Sequence, residues 1–338
     1  MTNVDDRTAE ASESLAAAHD CLLLDLDGTV FRGHSPTPGA VAALAAAGAR
    51  KVFVTNNASR SAGEVADHLV GIGFAAEPGD VLTSAQSAAR ALSRQLPPDS
   101  RVLVVGTDSL AAEIALVGLR PVRSHSDEPV AVVQGHSPHT CWADLAEATL
   151  AIRDGGLWVA TNADVTLPTE RGLLPGNGSM VAALRAATGV EPQVVGKPAP
   201  TMLRDALARS MSHAPLVVGD RLDTDIAAAN AAGLPSMLVL SGVSTPADLI
   251  LAPEGRRPTY LAEDLRGLHE PLSRMRVGPQ PGWNATVADG AVTVTSQGDG
   301  DALSALRVVA DSVWRGGASI VMAGDRRSRE ALKRWGFG

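Results

Sequence analysis

Short apolar runs alternate with alanine-rich stretches of helical period along most of this chain. CLLLDLD (21–27) is followed by PGAVAALAAAGA (38–49), and KVFVTNN (51–57) by SAGEVADHLVGIG (61–73). Runs this short that lack polar alternation suit strands buried on both faces, and helices between them connect such strands in parallel. The pattern therefore predicts an α/β fold built on a parallel sheet. A second set repeats it. VLTSAQSAARALSRQL (81–96), DSLAAEIALVGL (108–119) and CWADLAEATLAIRDGG (141–156) read as helices, with strands at RVLVVG (101–106), PVAVVQG (129–135) and LWVATNAD (157–164). GSMVAALRAATG (178–189) and APTMLRDALARSM (199–211) are helices around the strand and turn QVVGKP (193–198). PLVVGDRLDTDIAAANAAGL (215–234) reads as strand, loop and helix, and PSMLVLSGV (235–243) as a last core strand.

A chain of 338 residues exceeds what one core usually holds, so two or three domains are expected. Residues 1–18 are polar and acidic without a basic start or apolar middle, which reads as a disordered tail rather than a secretory signal. Residues 252–282 carry many prolines and arginines and read as a linker. WNATVADGAVTVTSQ then alternates about an Asp-Gly pair, a hairpin signal, and helix, strand and helix follow, giving a small ββαβα appendage over 275–338. Cys21 and Cys141 are the only cysteines, so no disulfide framework is expected and a reducing cytoplasm fits. A formal charge of −8 and an aromatic content of 3% argue against nucleic acid as a partner. No apolar run approaches the length of a membrane span.

Four separated pieces carry chemistry. DLDGT (25–29) and GDRLDTD (219–225) end apolar strands in carboxylates, VTNN (54–57) ends one in Thr55 and Asn56, and GKP (196–198) sets Lys197 in a turn. In open α/β sheets ligands bind beyond the carboxyl ends of the strands, so three of the four share one rim. Asp25 and Asp27, two residues apart, repel one another and ask for a cation. Mg²⁺ takes one or two protein carboxylates and leaves room for water and substrate phosphate, so Asp25 and Asp220 are its expected ligands. Thr55 and Lys197 are expected to hold phosphate oxygens. Lys51, Lys197 and Lys333 are the only lysines, which makes the position of Lys197 informative.

These pieces, in this order and spacing, resemble the haloacid dehalogenase (HAD) superfamily. TNNASR (55–60), ATNADVTLPTERGLLPGNGSM (160–180), VVGKPAP (194–200) and GDRLDTDI (219–226) are similar to its branch with a type-IIA cap, which includes nitrophenylphosphate-, phosphoglycolate-, pyridoxal-phosphate- and glycerol-phosphate-hydrolysing enzymes. The resemblance implies a Rossmann-like HAD core at 19–82 and 191–268, an inserted α/β cap at 83–190, and the small C-terminal α/β appendage outside it. It implies Asp25 as nucleophile and Asp27 as the acid and base that serves the leaving alcohol and then water. The Asp27 carbonyl would join Asp25 and Asp220 on Mg²⁺, with Asp225, and Asp223 beside it, ordering metal-bound water. Gly28 and Asn56 would offer backbone N–H groups to the phosphate. An Asp at position 27 fits phosphatases and mutases, whereas dehalogenases lack an acid there and ion pumps have threonine.

In the cap, Asn162 and Asp164 of TNAD are the expected substrate contacts. Ala163 departs from the usual T-N-P-D, and His136 stands where relatives often have aspartate. His136 and His139 read as loop histidines rather than metal ligands. Arg60 either contacts substrate or caps a helix. A small polar phosphomonoester, glycerol 3-phosphate or 2-phosphoglycolate, is the expected substrate, since GDRLDTDI is most similar to that part of the branch. Scarce aromatics place pyridoxal phosphate and nucleotides behind. The competing reading, a catalytically idle phosphometabolite sensor, leaves the pairing of Asp25 with Asp27 without a purpose. REALKRWGFG faintly resembles the end of GCN5-related acetyltransferase domains, and the appendage reads as structural or as a site of homo-oligomerisation, as does the cap.

Overall fold

The computed structural model describes residues 13–169 and 171–337. The chain divides into two compact units. The first runs to Val52, takes back Ile72–Phe74 and resumes at Ser210; the second comprises Phe53–Gly71 and Ala75–Arg209. The second unit is thus larger than the inserted segment expected at 83–190. Both follow the α/β pattern, and no helix among the described residues is long and apolar enough to cross a membrane.

The first unit is built on parallel strands in the order Tyr260–Ala262, Ser236–Val239, Pro215–Gly219 and Cys21–Leu24, with the start of Arg50–Thr55 next. Cys21 pairs with Pro215 and Leu24 with Val218, and every residue of these two strands is buried. Cys21 is a buried free thiol whose pKa is pushed up by that burial. Strand Cys21–Leu24 lies where the strand order reverses, the place at which such sheets open a crevice.

Two expectations are corrected in this unit. Residues 1–12 of the expected tail lie outside the described residues, but Ser14 bridges Pro271 and the Leu15 N–H donates to the Glu270 carbonyl at 3.0 Å. Leu15 is 0% exposed and Ala16 is buried beside it, so these two apolar residues anchor the end of that segment. The expected linker at 252–282 is packed structure. It contains the edge strand Tyr260–Ala262 and the helical turns Leu265–His269 and Leu272–Met275, with Leu261, Leu265, Leu268 and Met275 buried. Its prolines and arginines hide the apolar residues spaced between them.

The C-terminal segment belongs to the first unit. Hairpin strands Trp283–Ala288 and Ala291–Ser296 pair around Asp289 and Gly290, both with positive φ as a tight hairpin turn requires. Helix Ala302–Gly316, strand Ile320–Ala323 (parallel to Ala291–Val294) and helix Arg326–Arg334 complete it. One apolar cluster joins this segment to the sheet: Leu222, Ile226, Leu238, Leu249 and Leu261 pack with Trp283, Val292, Val294, Leu306, Val309 and Leu332.

In the second unit Phe53–Thr55 pairs in parallel with Val81–Thr83. The helix expected over 81–96 therefore starts later, at Ser84–Ser93, after three fully buried strand residues. Thr83 caps it, accepting from the Gln86 N–H, while Gln86 Oε1 accepts from the Thr83 N–H. A parallel sheet follows in the order Gln193–Val194, Leu157–Ala160, Ala131–Gln134, Arg101–Val105 and Arg120–Val122. The hairpin Thr166–Thr169 with Gly172–Pro175 was not visible in the apolar pattern because its strands are largely exposed.

Candidate active site

The first unit carries a group of carboxylates. The strand Cys21–Leu24 stops three residues short of the expected stretch 21–27, but the Asp25 N–H still donates to the Val218 carbonyl at 2.9 Å. Leu26 is buried while Asp25 is half-buried and Asp27 exposed, the alternation expected of the sequence. Gly28 turns the chain with φ +90°, and its N–H closes the turn on the Phe31 carbonyl at 2.7 Å. From the neighbouring strand Pro215–Gly219 the chain passes Asp220 and enters a π-helical turn, Leu222–Ile226, of a kind often found at functional sites.

These two loops bring Asp25, Asp220 and Asp225 together, with one carboxylate oxygen from each within 4.8 Å of the others. At an effective dielectric of about 20, each such pair repels by roughly 3–4 kcal/mol. Asp220 is 0% exposed and is fixed by its Oδ2, which accepts from the Val243 N–H at 2.6 Å, and by its carbonyl, which accepts from the Ser244 N–H at 3.1 Å. Asp225 Oδ2 accepts from the Arg221 N–H at 3.1 Å. The loop after strand Ser236–Val239 supplies the rest: Ser244 Oγ accepts from the Leu222 N–H at 3.0 Å, and Ser241 Oγ donates to the Gly28 carbonyl at 2.8 Å. A Cβ on Gly242 would lie 1.8 Å from Asp220 Oδ2, so only glycine lets that loop come so close. The donor set is all oxygen, which fits a hard divalent cation.

Thr55 and Lys197 belong to the second unit. Thr55 ends its strand buried, and its Oγ1 accepts from the Asn57 N–H at 3.1 Å. Lys197 is 3% exposed, and its Nζ donates to the Val54 carbonyl at 3.1 Å. Asn56 clamps the Lys197 backbone: Oδ1 accepts from its N–H at 2.9 Å and Nδ2 donates to its carbonyl at 3.0 Å. The Asn56 carbonyl in turn accepts from Ser84 Oγ at 2.6 Å and from Asn162 Nδ2 at 2.7 Å.

Residues 22–120 match the family of haloacid dehalogenase-like hydrolases and 194–268 that of HAD-hydrolase-like proteins, while 280–337 match the GCN5-related N-acetyltransferase-like domain. A D-glycerol 3-phosphate phosphatase of Mycobacterium tuberculosis is 59% identical over 337 residues, which is 96% of each chain. The chain belongs to the haloacid dehalogenase-like hydrolases. The crystal structure of a glycerol phosphate phosphatase from that organism, in complex with magnesium, superposes with a TM-score of 0.94 at 60% identity, covering 96% of this chain and 99% of that one. A p-nitrophenyl phosphatase from Archaeoglobus fulgidus is 32% identical with a TM-score of 0.69, over 75% of this chain and 99% of that one. This HAD hydrolase lies on the branch that includes the nitrophenylphosphatases, and it is a phosphatase.

Several site expectations change when set beside this geometry. The Gly28 N–H is spent inside its own turn and is not available to phosphate. Gly28 serves instead by leaving room, since a Cβ there would come within 2.5 Å of Asp220 Oδ2. Asp223 and Asp225 part ways. Asp225 enters the carboxylate group, whereas Asp223 accepts from Arg221 Nε and Nη2 at 3.0 and 2.8 Å, and that guanidinium holds it below the usual carboxylate range. Asn162 and Asp164 are braces for Asn56 rather than open contacts. Besides the bond from Asn162, Asn56 Nδ2 donates to Asp164 Oδ2 at 3.1 Å, and Asn162 Oδ1 accepts from the Asp164 N–H at 3.2 Å.

Asn56 was read for its backbone N–H, and its side chain is the feature that sequence reasoning missed. No local signal announced it, since Asn56 and Lys197 lie 141 residues apart in the chain. Helix Ala62–Gly71 is capped by Ser61 with Glu64, so Arg60 is not its cap. His136 is half-buried with its pKa lowered by that burial, and its carbonyl accepts from Ser59 Oγ at 2.8 Å. Neither His136 nor His139 joins the carboxylate group.

Proposed function

We propose that this phosphatase hydrolyses a small polar phosphomonoester, glycerol 3-phosphate first, with Mg²⁺ as cofactor and through an aspartyl-phosphate on Asp25. The substrate reading rests on the M. tuberculosis relative, whose identity of 59% runs through the C-terminal segment as well as the catalytic part. The metal reading rests on three carboxylates with one oxygen from each within 4.8 Å of the others, with the magnesium complex of the glycerol phosphate phosphatase in support. Asp25, Asp220 and the Asp27 carbonyl would hold the ion, and Asp225 would complete the acidic shell. The bound ion supplies charge neutralisation for the carboxylates and the incoming phosphate.

Asp25 attacks phosphorus while the bond from phosphorus to the ester oxygen breaks, and Asp27 gives its proton to the departing alkoxide. Water then attacks the phosphorus of the acyl phosphate, Asp27 takes a proton from it, and phosphate leaves with Asp25 regenerated. Lys197 and Thr55 hold the non-bridging oxygens, and Asn56 fixes Lys197 for that task.

Phosphate release from glycerol 3-phosphate, 2-phosphoglycolate, pyridoxal phosphate and nucleoside monophosphates, with and without Mg²⁺, tests the reading. Glycerol 3-phosphate should give the highest kcat/KM and chelation should remove turnover. Asp25→Asn should lower kcat by at least about 10³-fold with an unchanged unfolding midpoint. Substantial activity in that variant, or no ester turned over by the parent, overturns the mechanism.

A further inference from the structure

Outside the catalytic residues, one cleft combines a buried cation with a ring of charge. It has a volume of about 350 Å³ and lies where the C-terminal segment meets the sheet edge of the first unit. Its cations are Arg266, Arg274, Arg307 and Arg334. Arg307, on helix Ala302–Gly316, is 3% exposed. Its Nε and Nη2 donate to the Leu261 carbonyl at 3.1 and 2.7 Å, and Nη2 also lies 3.4 Å from Met275 Sδ.

Among the described residues no carboxylate pairs with Arg307, and Asp301, Glu270 and Glu263 act on it only through space. Burial pushes its pKa down to about 10. Enclosing a full charge to bond a neutral carbonyl is a poor exchange, because the lost hydration exceeds what one carbonyl returns.

The carboxylates around the cleft are largely engaged elsewhere. Glu263 accepts from Arg334 and Asp264 from Arg266, while Asp301 accepts from the Ser304 N–H at 2.6 Å as the cap of its helix. That leaves Arg307 and Arg274 as the lining cations outside an ion pair, with Glu270 and Asp301 as the lining carboxylates outside one among the described residues. We propose that this cleft is a binding site for a small metabolite bearing an oxyanion, seated on the Arg307 guanidinium with Arg274 as its second cation. With Nε and Nη2 spent on the Leu261 carbonyl, Nη1 is the guanidinium donor left for a carboxylate or phosphate oxygen, and the cleft's size falls at the lower end of small-molecule sites. The site is separate from the phosphatase chemistry and does not depend on it.

Malonate and sulfate, one planar and one tetrahedral anion, are the probes, titrated calorimetrically into the full chain without Mg²⁺ at constant ionic strength. At least one should bind saturably, and Arg307→Met should weaken it about tenfold or more. Arg274→Ala, on the exposed rim, should weaken it several-fold, and it decides the matter if Arg307→Met fails to fold, since a merely structural Arg307 gives no reason for Arg274 to count. Lys197→Gln, in the phosphatase site, should leave this binding unchanged. Absence of saturable binding by both anions, binding indifferent to the arginine changes, or binding lost only in Lys197→Gln overturns the proposal.

Discussion

Gly242 shows how much of the acidic site is decided by what is missing from a side chain. Its Cα approaches Asp220 so closely that a methyl group has nowhere to go, and the same loop delivers the Val243 N–H to that carboxylate. Gly242→Ala should therefore push the loop away and release Asp220. The expected outcome is a rise of at least about tenfold in the Mg²⁺ concentration for half-maximal activity, with about 1–3 kcal/mol of stability lost to overpacking. Activity against Mg²⁺ and urea denaturation check both, and an unchanged Mg²⁺ requirement would show that the loop does not hold Asp220. Nothing in the motifs around residue 25 or 220 announces Gly242. Asp25 and Asp220 were legible because each ends a run of apolar strand residues, where a carboxylate needs a reason to be. Asn56, Asn162 and Asp164 were visible as residues but not as a network, because hydrogen bonds spanning more than one hundred residues leave no local periodicity.

At the scale of elements, the longer apolar runs were readable, whereas two strands of three residues were not, buried though they are. Val81–Thr83 was absorbed into the helix it precedes, because three apolar residues next to an alanine-rich run carry no separate signal. Tyr260–Ala262 was lost among prolines and arginines for the same reason. The final helix, Arg326–Arg334, offers a test of how such elements are joined. Asp325 caps it through the Ser328 N–H at 2.8 Å and also accepts from the Ser296 N–H at 2.6 Å, so one carboxylate ties helix to strand. The Ser328 and Ser296 N–H groups hold its pKa at about 2, below the ordinary 3.8. A carboxyl depressed in the folded state adds stability above its unfolded pKa and loses it as pH falls through the folded one. Asp325→Asn should therefore destabilise the protein near neutrality, and the gap between variant and parent should close between about pH 4 and about pH 2. Denaturation midpoints measured across that interval check the sign, and a gap that widens on acidification refutes it.

For the molecule as a whole, the C-terminal segment is part of the catalytic unit's core. Leu306, Val309 and Leu332 share one cluster with Leu222 and Ile226, which bracket the turn carrying Asp225. Trp314 Nε1 donates to the Leu249 carbonyl at 3.1 Å, a further tie between the two. Deleting 275–338 should strip that cluster and give a chain that aggregates or unfolds at lower temperature, because losing several buried leucines and valines costs more than a domain's usual margin. A soluble truncated protein with the parent's melting temperature and Mg²⁺ dependence would refute this. The parallel pairing of Cys21–Leu24 with Pro215–Gly219 also has a consequence for how the chain is made. The ribosome delivers the strand bearing Asp25 first and its partner bearing Asp220 roughly 190 residues later, on the order of 10–40 s at ordinary rates of synthesis. Through that interval four consecutive apolar residues wait without the strand that will pair with them, and the slower the synthesis, the longer they stay uncovered on that side.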